Sequence, residues 1–368
     1  VVTVRLGFFG AGFIADFHAG MLELSRADAV IAAVFDPAPG RAGAFAARYG
    51  ATVMDSESDL FNACDAVYVC TWTSEHRRLV AEAARRAMPV FCEKPLAVDL
   101  PEATALATTV VASGIVAQVG LVLRDSPALL LLRDMIQDPD DGDVLTVVFR
   151  DDQYLPVRGV YKSSWRGDVA RAGAGTLLEH SIHDLDLLEW LLGPAVAVSA
   201  RTRHHHGLEG IEDLASVNLE FATGASAHLV SVWHDVLGRP SQRRIEVFRE
   251  RAWYCLEGDV FGPVRWNRTT AGEIAVADDD RPGSQWESGI PVEPESVDGD
   301  ALIDELRRRG VAMRFADAGF VDAAASHVQA TPGVLDALRA HVVADAAYRS
   351  AADGGRWLDI ADGVPITG

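Results

Sequence analysis

Lysine is almost missing from this chain: of its 33 lysines and arginines only Lys94 and Lys162 are lysine. A chain that uses arginine nearly everywhere keeps an ammonium where a compact, titratable point charge is needed. Positive charge as a whole is short, because 53 acidic residues leave a formal charge of −20 and a pI near 4.9. That excludes nucleic acid and an anionic membrane surface as main partners. No apolar run reaches the roughly 18 residues that a membrane span needs, and the N-terminus enters a strand at once, without a signal-peptide layout. The four cysteines, Cys64, Cys70, Cys92 and Cys255, show neither metal spacing nor a paired framework, which fits buried thiols in a reducing cytoplasm. His204-His205-His206 sits at a strand end, where neighbours point to opposite faces, so it reads as a solvated turn and no metal site is expected.

What is present is 49% hydrophobic residues in a chain of 368, enough for two domains with sizeable cores. Up to about residue 122, short apolar strands (4–9, 30–35, 66–70, 90–92 and 115–119) alternate with helices (13–25, 39–49, 75–87 and 100–112). This pattern predicts a doubly covered parallel sheet, that is, an α/β domain over 1–122. From 123 to 368 the pattern changes. A helix over 127–137, a strand over 144–152 and a helix over 177–192 are followed by strands at 195–203, 214–221, 225–234 and 245–256. Strands without intervening helices predict a large, mostly antiparallel open sheet, with one face on helices and the other free to meet a second subunit. Residues 277–291 read as a loop, and helices return at 301–309 and 334–348.

Gly10-Ala11-Gly12-Phe13-Ile14-Ala15 fits G-x-G-x-x-A between the first strand and the first helix. That is the context of a Rossmann dinucleotide fingerprint: Gly10 permits the turn, Gly12 lets a pyrophosphate approach, and Ala15 keeps the helix near the sheet. Asp36 ends the second strand, where a carboxylate meets the adenosine ribose. It disfavours a 2′-phosphate and so favours NAD, while Arg41 nearby leaves NADP open. Glu93-Lys94-Pro95 follows the strand over 90–92, and ligands of open α/β sheets bind beyond such carboxyl ends.

The segment Gly173 to Gly193 carries Glu179 and His183 four apart, hence on one helix face, with Asp186 and Trp190 continuing it. A carboxylate one turn from an imidazole can orient it and raise its basicity, which suits removal of a proton from an alcohol. Thr176-x-x-Glu179 is also a capping box, the alternative role for Glu179. His180 lies on another flank.

Taken together, Gly10-x-Gly12-x-x-Ala15, Glu93-Lys94-Pro95, Gly120 with Arg124, Tyr161 to Arg166, and the segment with His183 and Asp186 resemble the glucose-fructose oxidoreductase / inositol dehydrogenase / MocA family over nearly the whole chain. The resemblance implies a Rossmann domain followed by an α/β domain with a large open sheet, assembly as homodimer or homotetramer, and a final long helix returning to the Rossmann half. It implies NAD, or NADP, held by Gly10, Gly12, Phe13, Ile14, Asp36, Thr71, Trp72, His76, Glu93 and Lys94. The catalytic set would be Lys94, Glu179 and His183. A carbohydrate or polyol would be bounded by Arg124, Tyr161, Trp165, Arg166 and His180. Two departures bear on the substrate: the Glu179 position is commonly Asp in the family's polyol dehydrogenases, and Trp72 replaces proline in the usual Thr-Pro-Asn opening, beside the nicotinamide. The implied reaction is hydride transfer from a secondary hydroxyl; a redox-neutral glycosidase or epimerase with retained NAD, and a non-enzymatic nucleotide sensor, are the alternatives.

Overall fold

The structure, a computed structural model, describes residues 3–159, 161–269 and 293–360; the loop expected over 277–291 lies outside them. The first half runs β1 (Val4–Phe9), α1 (Phe13–Ser25), β2 (Ala29–Phe35), α2 (Pro39–Tyr49), β3 (Thr52–Val53), α3 (Glu57–Ala63), β4 (Ala66–Val69), α4 (Thr73–Arg85), β5 (Val90–Cys92), α5 (Leu100–Ser113) and β6 (Ala117–Val119). All six strands are parallel, in the order β3-β2-β1-β4-β5-β6. Apolar side chains on both faces explain the near-continuous hydrophobic runs: β4, β5 and β6 are buried at every position. The sequence reading lacked β3 and α3. The strand is two exposed residues, and the helix spans seven, too few for a periodic signal.

The second half contains α6 (Pro127–Ile136), β7 (Val144–Tyr154), α7 (Val169–Ala172), α8 (Ile182–Leu192), β8 (Ala195–Arg203), β9 (Leu214–Phe221), β10 (Ser226–His234), β11 (Gln242–Arg249), β12 (Ala252–Glu257), β13 (Val264–Arg268), β14 (Glu295–Val297), α9 (Gly299–Arg308), α10 (Ala316–Ser326), α11 (Val334–Ala352) and β15 (Leu358–Asp359). Nine strands form one sheet, ordered β14-β13-β12-β11-β7-β10-β9-β8-β15, antiparallel except where β7 meets β10. The single strand expected over 245–256 is a hairpin instead: the chain turns at Glu250-Arg251, whose N–H groups bond the carbonyls of Asp143 and Asp141. Alternation sets the two faces. In β10, Ala227, Leu229, Ser231 and Trp233 are buried toward the helices, whereas Val230 is 40% exposed. Val148 and Phe248 share that open outer face.

Helix α11 belongs to two cores. Val334, Ala337 and Leu338 sit with Val119, Leu106 and Val110 of the first half. Ala340, Val343 and Ala347 sit with α8 and the large sheet. One helix therefore fixes the edge at β6 against the sheet behind α8, and the cleft between them holds the site described next.

Candidate active site

The turn after β1 is built for a close approach. Gly10 has φ +87°, and a Cβ there would lie 2.3 Å from the Cys70 carbonyl oxygen. Gly12 precedes α1, whose first N–H groups no side chain caps, and a Cβ at Gly12 would meet nothing within 4 Å. That open, positively polarised helix end is where a pyrophosphate fits. Ala15 is wholly buried, Ile14 is partly buried and Phe13 is 79% exposed. Asp36 ends β2 as expected. Its carboxylate accepts the Ala11 N–H at 2.9 Å and the Ala38 N–H at 2.7 Å, so it also shapes the turn it was expected only to face.

The other residues expected at the cofactor divide. Thr71 and Trp72 follow β4 at the carboxyl end of the sheet, and the Arg171 guanidinium lies 4.0 Å over the Trp72 ring. His76 is buried, and its Nδ1 lies 2.9 Å from the Pro95 carbonyl oxygen, so it supports the Glu93-Lys94-Pro95 turn from below. Glu93 is also turned inward: Oε1 is 2.8 Å from His18 Nε2, and Oε2 accepts the Lys94 N–H. Of that tripeptide Lys94 alone sends its charged group across the cleft, where Nζ donates to the Glu179 carbonyl at 2.7 Å.

The segment bearing Glu179 and His183 departs from the expected continuous helix. Residues Thr176–His180 form a single π turn, and α8 begins only at Ile182. The cause lies between β8 and β9. Glu212, itself buried, accepts the N–H groups of Gly175 and Leu177 and the Tyr348 hydroxyl, at 2.8, 2.9 and 2.8 Å. Its carbonyl takes the Thr176 N–H. Gly175 runs so close that a Cβ would sit 1.9 Å from that carbonyl. No capping box forms, because the Thr176 hydroxyl bonds Ser231 instead, at 2.7 Å. A regular helix would give the Glu179 carbonyl to the His183 N–H; here it receives the lysine.

The altered path separates Glu179 from His183. The Glu179 carboxylate, 2% exposed, pairs with Arg166 Nε at 2.6 Å. Burial pushes this carboxyl up, but Arg166 and Lys94 outweigh burial and hold it below the usual range. His183 is 8% exposed, and its Nδ1 is buried with no partner among the described residues. Burial, then Lys94 and Arg243, keep its pKa well below the ordinary imidazole value, so the ring is neutral. Lys94 is lowered too, chiefly by burial. The site thus offers a neutral imidazole beside an ammonium seated on a main-chain oxygen.

Beneath it lies a buried network that the sequence reading did not contain. His180 Nε2 is 3.0 Å from Asp151, which also accepts the Ser181 hydroxyl at 3.1 Å and Arg243 at 3.2 Å. Arg243 reaches Asp184 at 2.7 Å and Asp259 at 3.2 Å. Burial and Arg243 drive His180 down to about 3, while burial raises Asp184 to about 7. The available signal was an acid and an arginine at inward positions of β7 and β11, where apolar residues alternate. Arg124, expected at the substrate rim, gives its guanidinium to Asp186 and Asp336, at 2.5 and 3.0 Å. Tyr161 bonds Ser241 at 3.3 Å. Trp165 packs on the cluster of Leu155, Ala172, Ile211 and Trp233, with the Arg166 guanidinium 5.3 Å from its ring. His206 is tied to Asp213 at 2.8 Å, and no group of three or more potential metal ligands occurs among the described residues.

Residues 4–121 match the model of an oxidoreductase family with an NAD-binding Rossmann fold, and 129–255 match the GFO/IDH/MocA C-terminal domain. The chain belongs to the GFO/IDH/MocA family. Among its relatives is the inositol 2-dehydrogenase of Rhizobium meliloti, 29% identical over 96% of this chain and 98% of that protein. Inositol 2-dehydrogenase 2 of Paenarthrobacter aurescens is 32% identical over 61% of this chain and 67% of its own. Solved structures with the same fold include the WlbA dehydrogenase of Bordetella pertussis with NADH and UDP-GlcNAcA (TM-score 0.79, 20% identity, 98% of each chain). Levoglucosan dehydrogenase with NADH and levoglucosan is another (TM-score 0.77, 21% identity, 98% of this chain and 100% of that one). This GFO/IDH/MocA chain is accordingly an NAD-dependent oxidoreductase. Its open Gly12, uncapped α1 and Asp36 at the end of β2 fit that cofactor.

Proposed function

We propose that the protein oxidises a secondary alcohol of a sugar, cyclitol or related molecule, with His183 as the base and Lys94 as the charge-stabilising donor. One observation carries this reading: a neutral imidazole whose buried Nδ1 has no partner among the described residues stands beside an ammonium fixed by the π turn. NAD, when bound, supplies the acceptor for the hydrogen and electron pair that leave the carbinol carbon. His183 takes the hydroxyl proton as that C–H bond breaks, so the alcohol becomes a carbonyl and one proton rests on the ring. Lys94 uses an N–H left over from Glu179 to hold the oxygen while negative charge builds there, a preorganised contact of the kind that is worth several kcal/mol. Glu179 acts through its main chain on Lys94 and through its carboxylate on Arg166. The open outer face, where Val148, Val230 and Phe248 stand among Arg150, His228, Arg244 and Glu246, suits a second copy of the chain, consistent with a homodimer or homotetramer.

The test is nicotinamide absorbance with NAD and a panel of inositols, aldoses, sugar acids and glycosides. Lys94→Ala and His183→Ala should each lower turnover by about 10²–10⁴-fold while NAD still binds. Near-normal turnover in either would remove that residue from the mechanism. Glycoside cleavage with no net NADH would favour the redox-neutral alternative.

A further inference from the structure

The hydrogen-bonding capacity left open in this cleft is lopsided. Lys94 spends one of its three N–H groups on the Glu179 carbonyl, which leaves two. Arg166 Nε is buried 2.6 Å from Glu179 Oε1 as a charge pair, so the 23% exposure of its side chain lies on its other atoms. The Trp165 ring lies under this guanidinium and braces the plane of its fork. The single carboxylate between these two cations is 2% exposed and already paired. The acids one layer down are committed as well, Asp151 to His180, Ser181 and Arg243, and Asp184 to Arg243.

A neutral polyol brings hydroxyls that each donate as well as accept, and it needs protein acceptors in rough balance with donors. Here His183 is reserved for the carbinol proton, and the charged groups are two cations, Lys94 and Arg166, set against the one carboxylate of Glu179. His180 and His183 add no charge of their own, being held neutral by burial, Lys94 and Arg243. The ligand chemistry that complements such a surface is an anion with several acceptor oxygens, and a planar fork matches a carboxylate in two parallel bonds.

We infer that the preferred substrate is a sugar acid, whose carboxylate is received by Arg166 beside the carbinol held by Lys94 and His183. This rests on the dehydrogenase reading above and narrows it. In this arrangement Arg166 has two partners, the substrate carboxylate through hydrogen bonds from its terminal nitrogens and Glu179 through the charge pair at 2.6 Å. Glu179 then holds the fork in place and supplies no acceptor to the sugar.

Matched pairs decide the matter: glucuronate against glucose, galacturonate against galactose, gluconate against glucitol, each assayed by NAD reduction. At least one acid should exceed its neutral partner by about 100-fold in kcat/KM. Arg166→Gln should raise KM for that acid about 10- to 100-fold with a much smaller change for the neutral partner. Arg166→Lys, which keeps the charge and loses the fork, should recover part of the difference. Thermal melting of both variants controls for folding. A neutral partner turned over as well as its acid, or an Arg166→Gln loss equal for both, overturns the inference and leaves the dehydrogenase standing. Silence toward every pair, with NAD bound, overturns both.

Discussion

His18 joins three stretches of chain that are far apart in sequence. Its Nε2 lies 2.8 Å from Glu93 and its Nδ1 2.8 Å from Asp317, and all three residues are buried. Burial alone would lower its pKa, but Asp317 and Glu93 outweigh burial and raise it to about 10. An unfolded imidazole titrates near 6.5, so between about pH 6.5 and about 10 the folded chain keeps a proton that the unfolded chain has lost. The stabilisation is complete below that window and fades as pH rises through it. His18→Ala, which strands two buried carboxylates, should cost about 3–5 kcal/mol in denaturant unfolding at pH 6. The gap from the parent protein should narrow toward pH 10, and a gap independent of pH would disprove the imidazolium. None of this was legible in the sequence. His18 could be placed on α1, yet Asp317 is 299 positions away on a helix the sequence reading did not contain. Lys94, by contrast, was legible, because the rarity of lysine and a strand end are both local facts.

At the scale of elements, the π turn decides what the site can do. Gly175→Ala would set a Cβ 1.9 Å from the Glu212 carbonyl and 2.5 Å from the Glu212 N–H, and backbone cannot swing aside as a side chain can. The turn should shift, Lys94 should lose its seat, and turnover should fall by about 10²-fold while NAD affinity holds. Turnover assays and an NAD titration on the same preparation check this, and unchanged turnover would show that the turn is held elsewhere. The G-x-G-x-x-A turn was readable because each of its requirements lies within a few residues of the others. The π turn was not, since a periodic reading of residues 177–192 sees one helix face. What bends the chain is Glu212, which arrives from the far side of β8. For the same reason the capping box and the Glu179–His183 pairing were sound as local chemistry and gave way to Ser231 and Arg166. The hairpin of β11 and β12 was hidden because its turn, Glu250-Arg251, holds no Gly, Pro, Asn or Asp to mark it.

For the molecule as a whole, α11 ties two cores into one. Leu338 is fully buried in the first-half core, and Val343 is fully buried in the second. Leu338→Ala should cost about 2–5 kcal/mol, and circular dichroism and tryptophan fluorescence should still report one shared transition. Two separated transitions would show that the halves unfold independently. The helix itself was legible over 334–348, from a Gly start and a helical spacing of apolar residues, although the two cores it serves follow only from the fold. Its position in the chain also sets an order of events during synthesis. A ribosome adds roughly 5–20 residues per second, so β6 emerges on the order of 10–40 s before α11 can be made. Through that interval the nascent first half carries an uncovered apolar strip along α5 and β6. A chaperone that grips hydrophobic surface would find its target there, and release would await the arrival of residues 334–338.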